Sequence, residues 1–214
     1  MPGKSLYLIK GKPMLQYLLD SLIQYASLDS LVIATSTNIE DDKIKEFGNS
    51  RGVYVFRGDP INVASRFRDI LIERPRASCF VRINGDSPLL DYRLVAQAEE
   101  LFCNSEVDIV SSVINGSLPS GMNVEVIKSE TFIKAYNSFA KPEHFEHVTR
   151  YFYENKELYT ISGFPRILNN TDRYKFAIDT MEDMERMTKF IHILNKPHYY
   201  YALKQKCEIY DTLL

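Results

Sequence analysis

The sequence has no large excess of charge of either sign. Its 26 lysines and arginines are set against 28 aspartates and glutamates, for a formal net charge of −2. Such a balance does not suggest a nucleic-acid partner, because nucleic acids bind to strongly basic protein surfaces. The cysteines are also few, and Cys79, Cys103 and Cys207 lack the spacing of metal ligands. An odd number of cysteines in apolar surroundings indicates reduced thiols, so we expect a cytoplasmic protein.

Long hydrophobic runs are absent as well. No apolar stretch approaches the roughly 20 residues that cross a bilayer, and there is no internal repeat or low-complexity tract. We expect no signal peptide. We therefore expect no membrane association. What the sequence does have is ordinary globular composition, with 45% hydrophobic and 25% charged residues over 214 positions. A chain of this length can bury a substantial core, and we expect a single domain over residues 1–214.

Apolar strand patterns alternate with helical patterns through the first half of the chain. The predicted strands are SLVIATS, GVYVFRG, SCFVRIN, DIVSSVI, NVEVI, LYTISGF and YKFAID. The predicted helices cover Lys12–Ala26, Glu40–Phe47, INVASRFRDILIE, YRLVAQAEELF, EHFEHVTRYFYEN and MEDMERMTKFIHILN, with Asp91 as the N-cap of the fourth. This order predicts an α/β fold with a mostly parallel sheet and helices on both faces, less regular and mixed in the second half.

Three polar residues follow predicted strands at their carboxyl ends, where α/β sheets bind ligands. They are Ser36, Asp86 and Asp179. Two carboxylates at one sheet edge repel unless a cation lies between them, and Mg²⁺ accepts one or two carboxylates and completes its shell with phosphate and water oxygens. The alternative is structural, because each aspartate could cap the helix that follows it. Gly85 would permit the close approach of a ligand.

Seven stretches, in order, resemble the cytidylyltransferase family that includes the CMP-sialic acid, CMP-KDO and spore-coat-polysaccharide enzymes. The stretches are PGKSLYLIKGKPMLQYLLDSL, LVIATS, VFRGDPINVASRF, RINGDSPLLD, PSGMNVEVI, EHVTRYFYEN and FAIDTMEDME. The spore-coat branch is the most similar. The resemblance covers nearly the whole chain and implies a Rossmann-like nucleotide-diphospho-sugar transferase fold, Mg²⁺ as cofactor and a homodimer.

The resemblance also implies roles for individual residues. Asp86 and Asp179 would hold the Mg²⁺, Gly3 and Lys4 would lie against the triphosphate, and Ser36, Arg57 and Gly85 would lie near the nucleotide. Glu125, His147 and Thr149 would face the sugar. Structural alternatives exist for most of them. Arg57 could be a turn residue, Glu125 a cross-strand ion-pair partner, and His147 a packing residue on a helix.

The sequence departs from the family pattern at its start. It begins inside the motif that ends in Pro-Gly-Lys, so the family's first strand and most of its nucleotide loop are missing. We expect a shortened chain with Met1 as an internal methionine of a longer one; the alternative is a natural remnant without activity. Loss of a central strand would leave two unpaired strand edges. We accordingly expect a solvent-open groove beside Lys4 and Gly85.

The leading functional prediction is a Mg²⁺-dependent transfer of CMP from CTP to a sugar or sugar phosphate, with release of pyrophosphate. Two alternatives remain at this stage. A metal-dependent glycosyltransferase would use a similar sheet, although Asp86 is followed by Ser87 and Pro88 instead of the Asp-x-Asp motif of that class. A non-catalytic dimer scaffold is the other. The nucleotidyltransferase prediction requires Asp86 and Asp179 to lie close together.

Overall fold

The computed structural model describes residues 3–213, so Met1 and Pro2 of the N-terminal motif lie outside the described residues. The strands are β1 Leu8–Ile9, β2 Lys12–Pro13, β3 Val32–Ser36, β4 Tyr54–Gly58, β5 Cys79–Arg82, β6 Ile109–Ser111, β7 Glu125–Lys128 and β8 Ile161–Gly163. The helices are α1 Met14–Leu22, α2 Asp42–Ser50, α3 Val63–Glu73, α4 Tyr92–Cys103, α5 Ser129–Tyr136, α6 Pro142–Glu146, α7 Arg150–Glu154, α8 Met181–Ile193 and α9 Leu203–Asp211.

Local sequence explains where several of these elements begin. Lys10 and Gly11 both have positive φ, which is the geometry of the tight turn that joins β1 to β2. Asp91 caps α4 as predicted, since its carboxylate accepts a hydrogen bond from the Arg93 N–H. At α8, Thr180 and Asp183 form a capping box, in which the side chain of each residue accepts a hydrogen bond from the backbone N–H of the other.

The strands form a parallel pair and a mixed sheet. β3 and β4 pair in parallel over five residue pairs, from Val32 opposite Tyr54 to Ser36 opposite Gly58. The larger sheet has the order β5-β7-β6-β8, with β7 antiparallel to both neighbours and β8 parallel to β6. The fold is therefore α/β with parallel pairing in the first half and mixed pairing in the second.

Two sequence-based predictions were wrong in detail. The YKFAID segment is not a strand: it makes an isolated bridge from Lys175 to Ser120. The single helix predicted over EHFEHVTRYFYEN is two short helices, α6 and α7, because the backbone at His147 leaves the helical region at φ −104° and ψ 86°. Both segments bury their apolar residues nonetheless, which is why their patterns resembled regular elements.

The core forms two clusters of buried side chains. The larger is centred on α1, α4 and α8, and the smaller is aromatic, with Phe132 of α5 and Phe152 of α7 fully buried within it. Within residues 3–213, no helix is both long enough and apolar enough to cross a membrane.

Lys206 of α9 is a buried cation. Its side chain is fully buried and its ammonium donates a 2.8 Å hydrogen bond to the Leu89 carbonyl. Burial lowers the pKa of Lys206 from its usual 10.5 to about 7, although the nearby Asp91 acts in the opposite direction. Above about pH 7, the unfolded chain therefore holds a proton that the folded chain does not.

We expect the free energy of unfolding to rise with pH between about 7 and 10 because of Lys206, by roughly 1.4 kcal/mol per pH unit. Lys206→Met should remove this pH-dependent rise in the free energy of unfolding, which urea unfolding at pH 7 and pH 9 measures. Lys204→Met on the same helix is the control, since Lys204 is exposed. Equal pH slopes for wild type and Lys206→Met would contradict the account.

Candidate active site

Lys4 lies between the two carboxylates that the sequence singled out. Its Nζ is 3.2 Å from an Asp86 carboxylate oxygen and 3.6 Å from an Asp179 carboxylate oxygen. The same Nζ donates a 2.7 Å hydrogen bond to the Ile178 carbonyl. Residues that are far apart in the sequence are thus brought to one point just beyond the carboxyl end of β5. The side chains of Lys4 and Asp86 are about one quarter exposed and that of Asp179 is half exposed, so the cluster is open to a ligand.

The backbone that carries Asp179 is held in place by two hydrogen bonds. The Ile178 N–H donates to the Asp86 carbonyl at 3.0 Å, and the Phe176 N–H donates to the Ser120 carbonyl at 2.8 Å. The next residue after Ser120 is Gly121, whose φ is +85° and where a Cβ would lie 2.3 Å from the Ala177 nitrogen. Gly121 therefore permits the close approach that positions Asp179 beside Asp86.

A second lysine, Lys175, also forms an ion pair with Asp179. Lys175 Nζ lies 2.9 Å from Asp179 and 2.6 Å from Asp183. Asp183 is buried, and burial alone would raise its pKa, but hydrogen bonds from Lys175, the Asp179 N–H and Arg186 hold the pKa well below its usual value. Asp183 therefore caps α8, whereas Asp179 keeps an exposed carboxylate.

The chemistry of these donors suits Mg²⁺. Asp86 and Asp179 offer two hard, partly exposed carboxylate oxygens that would hold Mg²⁺, an ion that typically completes its shell with phosphate and water oxygens. In residues 3–213 there is no group of three or more His, Cys, Asp or Glu side chains that could form a complete protein cage. The residues present therefore fit a cation that shares its shell with a phosphate-bearing substrate.

Ser36 and Arg57 are brought together at the carboxyl ends of β3 and β4. Arg57 Nε donates to the Ser36 carbonyl at 2.9 Å, and its guanidinium pairs with Asp42. The Ser36 hydroxyl donates to Asp41 at 2.6 Å. The pKa of Asp41 is lowered because hydrogen bonds from Ser36 and Thr35 outweigh its partial burial. Both predicted nucleotide-site residues thus also hold the turn between β3 and α2.

Glu125 lies at the centre of a polar cluster that crosses the larger sheet. It is 1% exposed, and it is paired across the strands with Arg82 and Ser111. Arg82 donates to one Glu125 oxygen at 2.5 Å, and the Tyr153 hydroxyl donates to the other. Burial, followed by the charge of Glu125, raises the pKa of Tyr153 and keeps the phenol protonated as a donor.

The remaining predicted sugar residues have different positions. Thr149 is buried and its side chain partly offsets the rise in the pKa of Tyr153, so it lies beside the Glu125 cluster. His147 is exposed at the break between α6 and α7. The sequence did not indicate Arg82, Tyr153 or Lys175 as site residues. Tyr153 stands four positions after Thr149, a spacing that places two side chains on one helix face and could have indicated it.

We expect the Glu125 cluster to behave as a coupled unit. Tyr153→Phe should lower the free energy of unfolding by about 2 kcal/mol, because it leaves a buried carboxylate short of a donor. Glu125→Gln should cost roughly 3 kcal/mol, since it removes the charge that faces Arg82. The double variant should cost less than the sum of the two.

A double-mutant cycle by urea unfolding measures this coupling. Tyr200→Phe is the matched control, because Tyr200 is 64% exposed and its variant should unfold like the wild type. Strict additivity of the Tyr153 and Glu125 changes would show that the two side chains do not interact in solution.

Comparison with known proteins gives the family directly. A family model described as Cytidylyltransferase matches residues 1–210. The chain belongs to the cytidylyltransferase family. Among curated relatives, the spore coat polysaccharide biosynthesis protein SpsF of Bacillus subtilis is 30% identical over 195 residues, which cover 86% of this chain and 78% of SpsF. The 3-deoxy-manno-octulosonate cytidylyltransferase of Syntrophotalea carbinolica is 25% identical over 87% of this chain and 91% of its own length.

A solved cytidylyltransferase structure has the same fold. The cytidylyltransferase of Leptospira borgpetersenii superposes with a TM-score of 0.91 at 23% identity, over 99% of this chain and 88% of that one. The α/β nucleotidyltransferase-like fold predicted from the sequence is thus confirmed, as is the resemblance to the cytidylyltransferases. The roles of individual site residues remain predictions.

Proposed function

We propose that this cytidylyltransferase transfers CMP from CTP to a sugar or sugar phosphate. A hydroxyl or phosphate oxygen of the acceptor attacks the α-phosphorus of CTP. The bond between that phosphorus and the bridging oxygen breaks, and pyrophosphate leaves with that oxygen. Any proton on the attacking oxygen passes to solvent. The observation that supports this proposal most directly is that the Lys4 ammonium lies between the Asp86 and Asp179 carboxylates.

Positive charge and alignment are the main requirements of this reaction, because the protein does little covalent chemistry in phosphoryl-type transfer. Lys4 would contribute a point charge to the phosphates, and the distances of its ammonium to the Asp86 and Asp179 carboxylates, 3.2 and 3.6 Å, support this role. Mg²⁺, held by Asp86 and Asp179, would add positive charge that stabilises the transition state. At Gly85 a Cβ would have its nearest neighbour, Leu15 Cδ1, 3.9 Å away, so in this proposal Gly85 leaves room for the nucleotide beside Asp86.

The acceptor sugar lies, in this proposal, against the cluster of Arg82, Glu125 and Tyr153. The arrangement supports a polyhydroxylated ligand because it offers both donors and acceptors in fixed positions. The side chain of Arg82 is 21% exposed while its ionic partner Glu125 is buried, so the guanidinium forms the accessible part of the pair. The names of the similar proteins, one in spore coat polysaccharide biosynthesis and one acting on an octulosonate, support a sugar acceptor in polysaccharide biosynthesis.

The test is pyrophosphate release with CTP, ATP, GTP or UTP, Mg²⁺, and a panel of acidic sugars and sugar phosphates. CTP binding is measured in parallel by calorimetry. We expect release only when an acceptor is present, and most rapidly with CTP. Tight CTP binding with no release across the panel would point to a non-catalytic role. Release of a nucleoside diphosphate from a nucleotide sugar would instead support glycosyl transfer.

A further inference from the structure

The two carboxylate oxygens of Asp179 face different lysines. Its Oδ1 lies 3.6 Å from the Nζ of Lys4, which also contacts Asp86, whereas its Oδ2 lies 2.9 Å from the Nζ of Lys175. The Asp179 side chain is 52% exposed, so packing does little to fix it. The terminal torsion of an aspartate is also broad, so the carboxylate has no strong preference of its own for one angle. The contact with Lys175 can therefore determine which oxygen Asp179 presents to Asp86.

Lys175 is itself anchored on a buried carboxylate. Its ammonium donates a 2.6 Å hydrogen bond to Asp183 Oδ2, and the Asp183 side chain is only 5% exposed. The same oxygen accepts a 3.0 Å hydrogen bond from the Asp179 N–H. The backbone of Lys175 is held as well, because it forms the isolated bridge to Ser120. Asp183 Oδ2 thus ties the backbone of Asp179, and the lysine that binds the Asp179 side chain, to one buried point.

We propose that Lys175 is a positioning residue that holds Oδ2 of Asp179, so that Oδ1 is directed toward the cation site shared with Asp86. The inference rests on the metal-assisted cytidylyl transfer proposed above, and it adds a residue that acts through Asp179 and not on the nucleotide. Side chains that hydrogen-bond metal ligands orient those ligands, and their loss typically weakens metal affinity by about 10- to 100-fold. Lys175 has the contacts that such a role requires.

The charge of Lys175 separates two effects that its removal could have. An ammonium close to a cation site repels a divalent ion, so on charge alone the loss of Lys175 would strengthen cation binding. A positioning role predicts the opposite change, because a carboxylate that rotates freely must lose that freedom when it binds the ion. The direction of the change in cation affinity therefore distinguishes orientation of Asp179 from electrostatic repulsion.

Titration of the full chain with Mn²⁺, without nucleotide, tests the proposal. The electron paramagnetic resonance signal of the free ion gives the Kd, and Mn²⁺ prefers the same oxygen ligands as Mg²⁺. Lys175→Met should raise the Kd by about tenfold or more, whereas Lys175→Arg, which keeps the charge and several donors, should stay within about threefold of the wild type. In pyrophosphate release, the KM for Mg²⁺ should rise by a similar factor in Lys175→Met, while kcat at saturating Mg²⁺ changes much less.

Arg186→Met is the matched control. Arg186 also pairs with Asp183, but within residues 3–213 it forms no ion pair with Asp179. Both variants remove one cation from Asp183 at the start of α8, so both should lower the free energy of unfolding, which urea unfolding measures. Only Lys175→Met should weaken Mn²⁺ binding. If Lys175→Met does not fold, Lys175→Gln, whose shorter side chain keeps a donor without the charge, provides the same comparison.

Unchanged or tighter Mn²⁺ binding by Lys175→Met would overturn the proposal. An equal loss in Arg186→Met would also overturn it, because the effect would then belong to the start of α8. Asp86→Asn distinguishes failure of this inference from failure of the site. If Asp86→Asn binds Mn²⁺ like the wild type, or the wild type binds none, the cation site and this inference both fail. If Asp86→Asn loses Mn²⁺ and Lys175→Met keeps it, the cation site stands and only the positioning role is wrong.

Discussion

Replacing Asp86 with asparagine should lower the rate of pyrophosphate release by about three orders of magnitude while leaving the fold intact. The substitution removes one negative charge and nearly preserves the shape of the side chain. A cation's charge on the transition state contributes several kcal/mol, and each 1.36 kcal/mol is a factor of about ten in rate. The Asp86 side chain is partly exposed, so the free energy of unfolding should change by less than about 1 kcal/mol.

Asp172→Asn is the matched control, because Asp172 is exposed and lies outside the cluster of Lys4, Asp86 and Asp179. Its pyrophosphate release should equal that of the wild type. If Asp86 were only a turn residue, asparagine would serve nearly as well there. Wild-type rates in Asp86→Asn would therefore place the reaction elsewhere in the molecule.

Gly121→Ala should destabilise the fold by about 3 kcal/mol or more. Two costs combine at this position. A non-glycine residue at φ +85° is strained by roughly 1–3 kcal/mol, and the new Cβ would lie 2.3 Å from the Ala177 nitrogen and 2.4 Å from the Phe176 carbonyl carbon. Because backbone atoms cannot rotate away, the segment that carries Asp179 would have to move.

Gly116→Ala separates the two costs. Gly116 also has a positive φ, at +56°, but a Cβ there meets nothing within 4 Å. It should therefore show the backbone strain alone, about 1 kcal/mol. Urea unfolding of both variants measures the difference. Equal destabilisation at the two glycines would show that the approach of residues 176–177 to Gly121 does not constrain the fold.

The sequence predicted the elements whose signals are local. The strand at Val32–Ser36 and the cap at Asp91 depend on neighbouring residues, and the structure confirms both. The YKFAID segment shows where local signals fail. Phe176, Ala177 and Ile178 are all buried, as in a strand covered on both faces. The N–H groups of Phe176 and Ile178, however, donate to the carbonyls of Ser120 and Asp86, and a tertiary approach of this kind leaves no trace in a periodic pattern.

The candidate site also contains residues that the sequence predicts and residues that it cannot predict. The strand-end position of Asp86 predicted a functional carboxylate, and the structure places Asp179 beside it through Lys4. The pairing of Arg82 with Glu125 depends on the register between β5 and β7, which are 43 positions apart at this pair. Register is a tertiary property, so neither Arg82 nor its bond to Glu125 could be assigned from the sequence.

Phosphorus NMR of CTP during turnover tests the central claim most directly. The chain is incubated with CTP, Mg²⁺ and each acceptor. Cytidylyl transfer predicts that the α-phosphorus appears in a new ester between CMP and the sugar, or in a diphosphate when the acceptor is a sugar phosphate, while the β- and γ-phosphorus appear together as pyrophosphate. Recovery of CDP and inorganic phosphate, or of unchanged CTP with every acceptor, would contradict it.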